Sequence, residues 1–388
     1  MRGHTYQRGR TWSYVVDTDP GPDGRRRQTT KGGFPSEREA RRALNKVLVA
    51  LAENSFTEPS RETLRAFIER WLPSVKARVR PSTWAQYATL AQKHIVPGLG
   101  DGPIQKLTPD GINAFYAGLL EQGRLHGRGG LSPRTVGHIH GVLRNALNDA
   151  VKWRVIGRNP ALEASPPRKQ QQPLVTWAAP EARDFLAHVR GDRLFAAYAL
   201  ALTTGMRRGE LLGLAWRDVE LEAGWLHVRQ TLVSVNYRVQ FSTPKTQAGR
   251  RSIAIDPGTV EILREHRLRQ LKERHELGLG AAQPDDLVFA GIGGQPLNPS
   301  LFTDGFDRRV KTAGVPRIRF HDVRHTAATL ALAAGVPAKV VAERLGHSSV
   351  SITLDLYTHS VPTLQEEAAV RLAALVLQPV SEPPLANR

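Results

Sequence analysis

The sequence contains no cysteine, no long apolar run and few acidic residues for its number of basic ones. Without cysteine, neither a disulfide framework nor a thiolate zinc site can form. No stretch is apolar over the roughly 20 residues that a membrane helix needs. The N-terminal MRGHTYQRGR is not followed by the apolar segment of a secretory signal peptide. These absences predict a cytoplasmic protein with no membrane contact.

The shortage of acidic residues leaves a net charge of +18 and a pI near 10.7. Residues 1–54 carry 11 Lys or Arg against 6 Asp or Glu, and residues 57–170 carry 17 against 8. This balance favours a polyanionic partner, because neutralising phosphates releases counterions. No basic amphipathic helix with a strong aromatic face is present, so nucleic acid is favoured over an anionic membrane.

The predicted elements divide the 388 residues into three units. The first has strands at 8–16 and 25–31 and a helix that begins at the N-cap Ser36. The second, residues 57–165, is helical throughout, and a polar, proline-flanked linker follows it. The third begins at about residue 174. The predicted fold class is α+β multidomain: a small sheet plus a helix, an all-α unit, and a mostly α unit with a small antiparallel sheet.

The third unit is expected to contain three strands, of which the last two are joined by the tight turn PKTQAG. The segment DRLFAAYALALTTG before them is so apolar that it must be a buried helix. A further short strand is predicted at LVFA. The three main strands cover residues 224–232, 236–243 and 250–256, and LVFA covers 287–290.

Basic side chains of the first two units are candidates for contact with DNA, although each taken alone is more often an ordinary surface charge. Large aromatic residues of the second unit are interpreted as core. The DNA candidates on the strand side are Arg8, Arg10, Arg25, Arg26 and Arg27, those in the helical unit are Arg78, Arg80, Thr83, Lys93, Arg134 and Arg144, and the core aromatics are Trp71, Trp84, Phe115 and Trp153.

The segment from His321 to Tyr357 carries the residues with the clearest chemistry. It opens with His-x-x-Arg, which places His321 and Arg324 on one face of a helix. Two helices that end at glycines follow, and His347 lies just past the second glycine. Side chains at helix ends can converge on one phosphate. This arrangement indicates attack on DNA by the hydroxyl of Tyr357.

Three further residues outside this segment suit the same chemistry. Arg207 follows the buried helix and a glycine, and Glu210, three residues on, can hold its guanidinium through a charge-assisted hydrogen bond. Lys245 lies in the predicted turn between strands, where an ammonium can reach a bound backbone. An Arg–Glu pair at this spacing is usually an inconsequential surface pair, and a lone turn lysine is usually ordinary.

Two alternative interpretations apply to the His-x-x-Arg region. His321 and His325 have the spacing of a zinc-binding helix, but Arg324 between them would repel a cation. Residues 326–346 have the pattern of a helix-turn-helix DNA reader. The second helix of that pair offers Val340, Val341 and Leu345, which favour burial over base reading.

The motifs TTGMRRGELLGL, TPKTQAGRRSI, HDVRHTAATL and LGHSSVSITLDLYTH occur in an order that resembles the tyrosine recombinase (phage integrase) family. The resemblance covers roughly residues 175–362. It implies that Arg207 and Arg324 clamp the phosphate, that Lys245, His321 and His347 assist, that Tyr357 is the nucleophile and that Glu210 is a supporting acid. No metal or other cofactor is implied.

The resemblance also implies an organisation and partners. Residues 1–54 are similar to an arm-type DNA-binding module of lambda-type integrases, 57–165 to a helical core-binding domain and 174–378 to the catalytic domain. The composition of residues 379–388 predicts a disordered tail. The implied partners are double-stranded attachment sites and three further protomers in a synaptic homo-tetramer, with a host DNA-bending protein and an excisionase as further candidates. A chromosome-dimer resolvase, a type IB-like topoisomerase and a non-enzymatic helix-turn-helix regulator are the alternatives.

Overall fold

The computed structural model describes residues 3–18, 27–53, 56–168, 174–235, 238–243, 249–357 and five positions between 370 and 377. The structure has two compact units, which are called the first and second unit from here on. The first unit, Met1–Gln171, contains the first two of the three predicted parts, and the second unit, Gln172–Arg388, contains the third. Several positions of interest lie outside the described residues: Arg25, Arg26, Lys245, most of the segment after Tyr357 and the tail 379–388. Within the described ranges, no helix is long and apolar enough to cross a membrane.

The chain begins with a three-stranded antiparallel sheet covered by one helix. Its strands are β1 (Gly3–Arg8), β2 (Thr11–Thr18) and β3 (Arg27–Phe34), in the order β1-β2-β3, and α1 spans Glu37–Ala52. Residues 11–16 of the strand predicted over 8–16 lie in β2, and β3 contains most of the strand predicted over 25–31, but Arg8 ends a further strand, β1, that was not predicted. Gly9 adopts a left-handed φ of 62° and turns the chain between β1 and β2. Ser36 caps α1 as predicted, because its side chain accepts from the Glu39 amide.

The rest of the first unit is helical, as predicted. Proline at the first turn and Thr or Ser N-caps start several of its helices. Its elements are α2 (Leu64–Lys76), α3 (Pro81–Leu90), a π-helical turn (Ala91–Ile95), α4 (Val96–Leu99), a 3₁₀ turn (Ile104–Lys106), α5 (Pro109–Gln122), α6 (Pro133–Lys152) and a 3₁₀ turn (Pro160–Leu162).

The core of these helices contains Trp71, which is fully buried, and partly buried Trp84 and Phe115 pack against it. The prediction that Trp153 is core is wrong, since its side chain is 38% exposed. Trp153 lies at the end of α6, where its ring contacts Phe67 and the Arg70 guanidinium. A cation over the ring face accounts for a tryptophan at the surface.

The second unit is mostly helical with two small antiparallel sheets, which confirms the predicted fold class. Its elements are α7 (Ala179–His188), α8 (Phe195–Thr204), α9 (Arg208–Leu212), β4 (Val219–Glu220), β5 (Trp225–Val228), β6 (Thr231–Val235), β7 (Arg238–Ser242), β8 (Arg251–Ala254), α10 (Pro257–Glu276), α11 (Pro299–Ala313), α12 (Phe320–Ala333), α13 (Ala338–Leu345) and α14 (Val350–Tyr357). Helix α8 is buried along nearly all of its length, as predicted.

The strand pairing in this unit differs from the prediction. Residues 224–232 form two strands, because the chain breaks at Gln230, whose side chain donates to the Gly213 carbonyl at 2.8 Å. As a result β5 pairs with β4 and β8, and β6 pairs with β7. The predicted pairing of β7 with β8 is therefore wrong for the described residues.

The strand predicted over 287–290 is also wrong. Leu287 and Ala290 form only isolated bridges, with Ala215 and Pro296. All four residues of LVFA are buried, and their apolar pattern reflects packing into the core of the second unit. A short apolar run has this ambiguity because burial alone gives the same signal as a buried strand.

Candidate active site

Helix α12 places two of the predicted site residues one turn apart. Its first turn is fixed by Asp322, whose carboxylate accepts from the backbone amide of Arg319 at 3.0 Å and from its guanidinium at 2.8 and 2.7 Å. This capping arrangement orients the turn that carries His321 and leads Arg324 inward. The two residues therefore share one side of the helix, as the sequence predicts.

Arg324 is a buried cation whose partners are neutral. Its side chain is 4% exposed, and Nη1 and Nη2 donate to the carbonyls of Gly205 (2.8 Å) and Leu345 (2.6 Å). Burial, followed by the charge of Arg207, lowers the pKa of Arg324 to about 9. The guanidinium remains charged at neutral pH. A desolvated cation held by carbonyls alone is a strong site for an anion.

Gly205 allows Arg324 to make the first of these contacts. It ends α8 in the left-handed region with φ of 65°, and a Cβ at this position would lie 2.3 Å from Leu345 Cδ2. Only glycine adopts this conformation readily and leaves room for the neighbouring helix. The close approach brings the end of α8 against the end of α13.

Arg207 lies beside Arg324 and is held by Glu210. Its Nη1 donates to Glu210 Oε1 at 2.7 Å, its backbone amide donates to Oε2 at 3.0 Å, and its Nη2 donates to the Gly346 carbonyl at 3.1 Å. The predicted pairing with Glu210 is therefore present. Its side chain remains 41% exposed, so that a DNA phosphate can reach the guanidinium.

Sequence reasoning missed Arg251, at the start of β8. Its Nη2 donates to Glu210 Oε2 at 2.9 Å, and its Nε donates to the Arg344 carbonyl at 2.5 Å. Period-2 alternation places Arg251 on the same face of the strand as the buried Ile253, and this signal could have identified it as inward-facing. The Glu210 carboxylate is thus shared by two arginines.

These contacts give the C-terminal end of α13 an unusual set of partners. The carbonyls of three consecutive residues, Arg344, Leu345 and Gly346, each accept from a different arginine: Arg251, Arg324 and Arg207 respectively. The last carbonyls of a helix lack partners within it and carry partial negative charge. The guanidinium groups of three separate elements therefore meet at one helix end.

His347 follows directly on that helix end. Its Nδ1 lies 2.8 Å from the hydroxyl of Thr353, a fully buried residue of α14 that sequence reasoning also missed. Burial, followed by the charges of Arg324 and Arg207, lowers the pKa of His347 to about 4. The ring is neutral at pH 7. One nitrogen is occupied by Thr353, and the other can face a ligand.

His321 is also neutral at pH 7. Burial, followed by the charge of Arg324, lowers its pKa below the ordinary value. Its ring makes an edge contact with the ring of His325, with centroids 5.2 Å apart. A neutral imidazole in a field of arginines can accept a proton. Among the residues described, no group of three or more His, Asp or Glu is placed to hold a metal ion.

The structure describes the other two predicted catalytic residues, Tyr357 and Lys245, only in part or not at all. Helix α14, which packs on α12 and α13, ends at Tyr357, so the backbone of Tyr357 is adjacent to these elements. Its side chain lies outside the described residues, as does all of Lys245. The structure thus brings together Arg207, Glu210, Arg324 and His347.

The helix-turn-helix interpretation is tested by the burial of α13. Val341 and Leu345 are 2% exposed, as expected for core packing, whereas Val340 is 42% exposed and its predicted burial is wrong. The polar side chain of Arg344 also turns back into the protein, where it donates to the Ala254 carbonyl at 3.0 Å. Helix α13 thus serves as part of the framework of the site.

The predicted DNA-binding residues of the first unit occupy different environments. Arg78 is engaged internally, because its Nη2 donates to Asp149 at 2.6 Å. Arg80 is the N-cap residue of α3 and Thr83 is half-buried within that helix. Arg27 is exposed, 3.9 Å from Glu58. The exposed candidates with no such contact among the described residues are Arg8, Arg10, Lys93, Arg134 and Arg144.

Comparison with family models identifies all three parts of the chain. Residues 181–363 match the phage integrase family, residues 63–120 its N-terminal SAM-like domain, and residues 4–51 an arm DNA-binding domain. A tyrosine recombinase XerC-like protein of Caldanaerobacter subterraneus subsp. tengcongensis is 30% identical over 339 residues, or 81% of this chain and 84% of that protein. The chain belongs to the tyrosine recombinase (phage integrase) family. This recombinase is a site-specific integrase of a phage or mobile element, which catalyses DNA strand exchange.

Other relatives agree with this assignment, and solved structures share the fold. The integrase of Mycobacterium phage D29 is 27% identical over 344 residues, 88% of this recombinase and 82% of the phage protein. The Tn1549 transposon integrase in complex with a circular intermediate DNA shares the fold at a TM-score of 0.66 and 22% identity, over 80% of this chain and 100% of that one. A lambda integrase tetramer bound to a Holliday junction has a TM-score of 0.57 at 20% identity, over 91% and 94% of the two chains.

Proposed function

We propose that this recombinase cleaves DNA by attack of the Tyr357 hydroxyl on a phosphodiester, which leaves a 3′-phosphotyrosine and a free 5′ hydroxyl. The convergence of Arg207 and Arg324 on one helix end beside His347 carries this proposal. Charge accumulates on the two non-bridging oxygens as the Tyr357 oxygen attacks. Two permanent cations in a partly desolvated site stabilise that charge.

The protons in this step are handled by neighbouring groups. A tyrosine hydroxyl has an ordinary pKa near 10, so it needs a base to attack at neutral pH. His321, which is neutral, accepts that proton as the O–P bond forms. Lys245 donates a proton to the leaving 5′ oxygen as the other O–P bond breaks. His347 donates a hydrogen bond to a non-bridging oxygen.

Reversal of the same step joins a new DNA end. The phosphotyrosine bond conserves the energy of the phosphodiester, so a 5′ hydroxyl from a second duplex can attack it without a nucleotide cofactor. Repeated on both strands, this exchange integrates or excises the element.

The three parts of the chain have distinct roles in this proposal. Residues 57–165 and 174–378 bind the core site, and residues 1–54 bind separate arm sites. In the first module, β1 turns His4, Tyr6 and Arg8 away from α1, and this polar face is suited to contact base edges and phosphates. The enzyme works on DNA in the cytoplasm of its host, with a DNA-bending protein and an excisionase as candidate partners.

Four protomers assemble for strand exchange. The apolar segment LQEEAAVRLAALVL after Tyr357 packs on a neighbouring protomer of the synaptic tetramer. Deleting residues 363–388 should weaken synapsis and leave binding to a single site intact. Unchanged recombination by the truncated protein would contradict this role.

The experiment that tests the chemistry uses a nicked duplex carrying the attachment core. Wild type should form a protease-sensitive covalent 3′ adduct that is lost in Tyr357→Phe and retained in the control Tyr198→Phe, since the Tyr198 hydroxyl has no hydrogen-bond partner among the described residues. An adduct that persists in Tyr357→Phe would place the nucleophile elsewhere. Tight binding with no adduct from the wild type would favour a regulator that only binds DNA.

A further inference from the structure

The outward face of α1 is a strongly basic surface of the N-terminal module. Arg38, Arg41, Arg42 and Lys46 are all exposed there, together with Asn45 and Val49. At about 100° per residue these six positions fall within an arc of roughly 140°. Helix α1 therefore carries one continuous basic stripe.

This stripe points away from the sheet. The buried residues of α1, Ala40, Leu44 and Leu51, lie on the opposite side of the helix, where Leu44 and Leu51 pack with Tyr14 and Val16 of β2. The module therefore has two outer surfaces, the open face of the sheet and the basic stripe of α1, on opposite sides of its two layers.

The four cations have no acidic partner within the described part of the chain. One acidic residue of the first turn, Glu37, is engaged on the sheet side, where its carboxylate accepts from the Thr5 hydroxyl. Arg38, Arg41, Arg42, Asn45, Lys46 and Val49 together form one open, shallow surface patch along the stripe. Like charges gathered on one patch repel each other unless an anion neutralises them.

The length of the basic stripe suits contact with the backbone of one DNA strand. Arg38, Arg42 and Lys46 are one turn apart and span about 12 Å along the helix axis. Phosphates of one strand advance about 3.4 Å each along the duplex axis while they wind around it, so a span of this length reaches more than one of them. Such contacts recognise the backbone and carry no sequence information.

We propose that the basic stripe of α1 is a second DNA-binding surface, which holds the phosphate backbone of a duplex other than the one on the sheet. This inference rests on the proposed role of residues 1–54 as a DNA-binding module. Because the two surfaces lie on opposite sides of the module, one rigid duplex cannot occupy both. The module thereby links two DNA segments.

The test compares the full-length protein with two triple variants. Arg38→Gln/Arg42→Gln/Lys46→Gln removes charge, and Arg38→Lys/Arg42→Lys/Lys46→Arg retains it. The measurement is the affinity for a random-sequence duplex as a function of salt. Charge removal should reduce the slope of log K against log salt by about 2 to 3, since each phosphate contact contributes about 0.9. The charge-retaining variant should match wild type.

A second measurement addresses the bridging role. Protein bound to an immobilised duplex is offered a labelled second duplex of random sequence. Wild type and the charge-retaining variant should capture more of it than the glutamine variant does. Equal capture and equal salt slopes in all three proteins would overturn the proposal, as would equal losses in both variants.

Adduct formation on the nicked core duplex separates this proposal from the recombination chemistry. The glutamine variant should still form the Tyr357 adduct, because the stripe is remote in sequence from the catalytic motifs. An adduct with unchanged salt slopes would overturn only the role of α1. A reduced slope with no adduct from any of the proteins would overturn only the proposed chemistry.

Discussion

Arg251 and Glu210 form an ion pair that is buried on both sides. Arg251 Nη2 lies 2.9 Å from Glu210 Oε2, and the two side chains are 7% and 4% exposed. Burial raises the pKa of Glu210. The hydrogen bond and charge of Arg251, followed by those of Arg207, lower it by more than burial raises it, so the pKa lies below the ordinary value. The carboxylate is therefore ionised at neutral pH and holds both arginines.

The first prediction concerns this pair. Arg251→Met should lower the free energy of unfolding by about 3 kcal/mol, because it removes one partner from a buried pair. Cleavage on the nicked duplex should slow by roughly 10- to 100-fold as Arg207 and α13 lose a common support. Duplex affinity should change little. Arg251→Lys, which retains the charge, should be intermediate in both measurements.

A double-mutant cycle checks that the two residues act together. Glu210→Gln combined with Arg251→Met should cost less in unfolding free energy than the sum of the single changes. Strictly additive costs would contradict the coupling.

The second prediction concerns the hydrogen bond between His347 and Thr353. To donate from Nε2 to a phosphate oxygen, a neutral His347 must accept at Nδ1, and the Thr353 hydroxyl is the donor in reach. Thr353→Val should therefore slow adduct formation by roughly tenfold, the cost of about one hydrogen bond. Thr353→Ser should restore it.

Thr329 on α12 provides a matched control for that change. Its hydroxyl has no hydrogen-bond partner among the described residues. Thr329→Val should leave the rate of adduct formation unchanged. A loss as large as that of Thr353→Val would show that removing any threonine hydroxyl near the site suffices.

The third prediction concerns pH. With a folded-state pKa of about 4 against an ordinary 6.5, His347 binds a proton in the unfolded chain between these values but not in the folded one. Its contribution to stability should therefore be complete above pH 6.5 and should fall as the pH drops towards 4. NMR titration of the ring should give the low pKa directly, and His347→Gln should flatten this part of the stability profile.

Binding of DNA should move the same titration upward. A phosphodiester near His347 adds negative charge that offsets Arg324 and Arg207, and a nearby anion favours the protonated ring. An unchanged His347 pKa in the presence of a core duplex would argue against contact between this ring and the phosphate.

The fourth prediction concerns Gly205. Gly205→Ala places a Cβ in a left-handed backbone, which costs about 1 to 2 kcal/mol, and pushes it against Leu345, which adds about 1 to 3 kcal/mol. Gly278→Ala is the matched control, since Gly278 has φ of 63° and nothing within 4 Å of the added Cβ. Urea unfolding should show a clearly larger loss for Gly205→Ala. Equal losses of unfolding free energy in the two variants would mean that the Leu345 side chain moves aside without loss of stability.

The ends of α12 and α13 could be predicted from the sequence because glycine readily adopts the left-handed backbone conformation at a helix end. Gly335 and Gly346 adopt left-handed φ values of 82° and 68° where α12 and α13 end. The pairing of Arg207 with Glu210 could also be predicted, since residues three positions apart lie on the same side of a helix. Both predictions depend only on residues that are close together in the sequence.

The strand pairing and the contacts of Arg251 could not be predicted from the sequence in this way. The break in the predicted strand depends on Gln230 reaching Gly213, and the position of Arg251 depends on the Arg344 carbonyl, 93 residues away in sequence. The acceptor in each case is a main-chain oxygen, which every residue possesses. No pattern of residue types marks such a partner in advance.

The meeting of three guanidinium groups at the end of α13 also has a kinetic consequence. A helix of eight residues is too short to persist alone, so α13 exists by virtue of its docking. If its last turn opens, the contacts of Arg251, Arg324 and Arg207 are lost together. Amide hydrogens near His347 should then exchange with solvent in one concerted event. In the free enzyme, the site therefore stays assembled only for as long as α13 stays docked against its neighbouring elements.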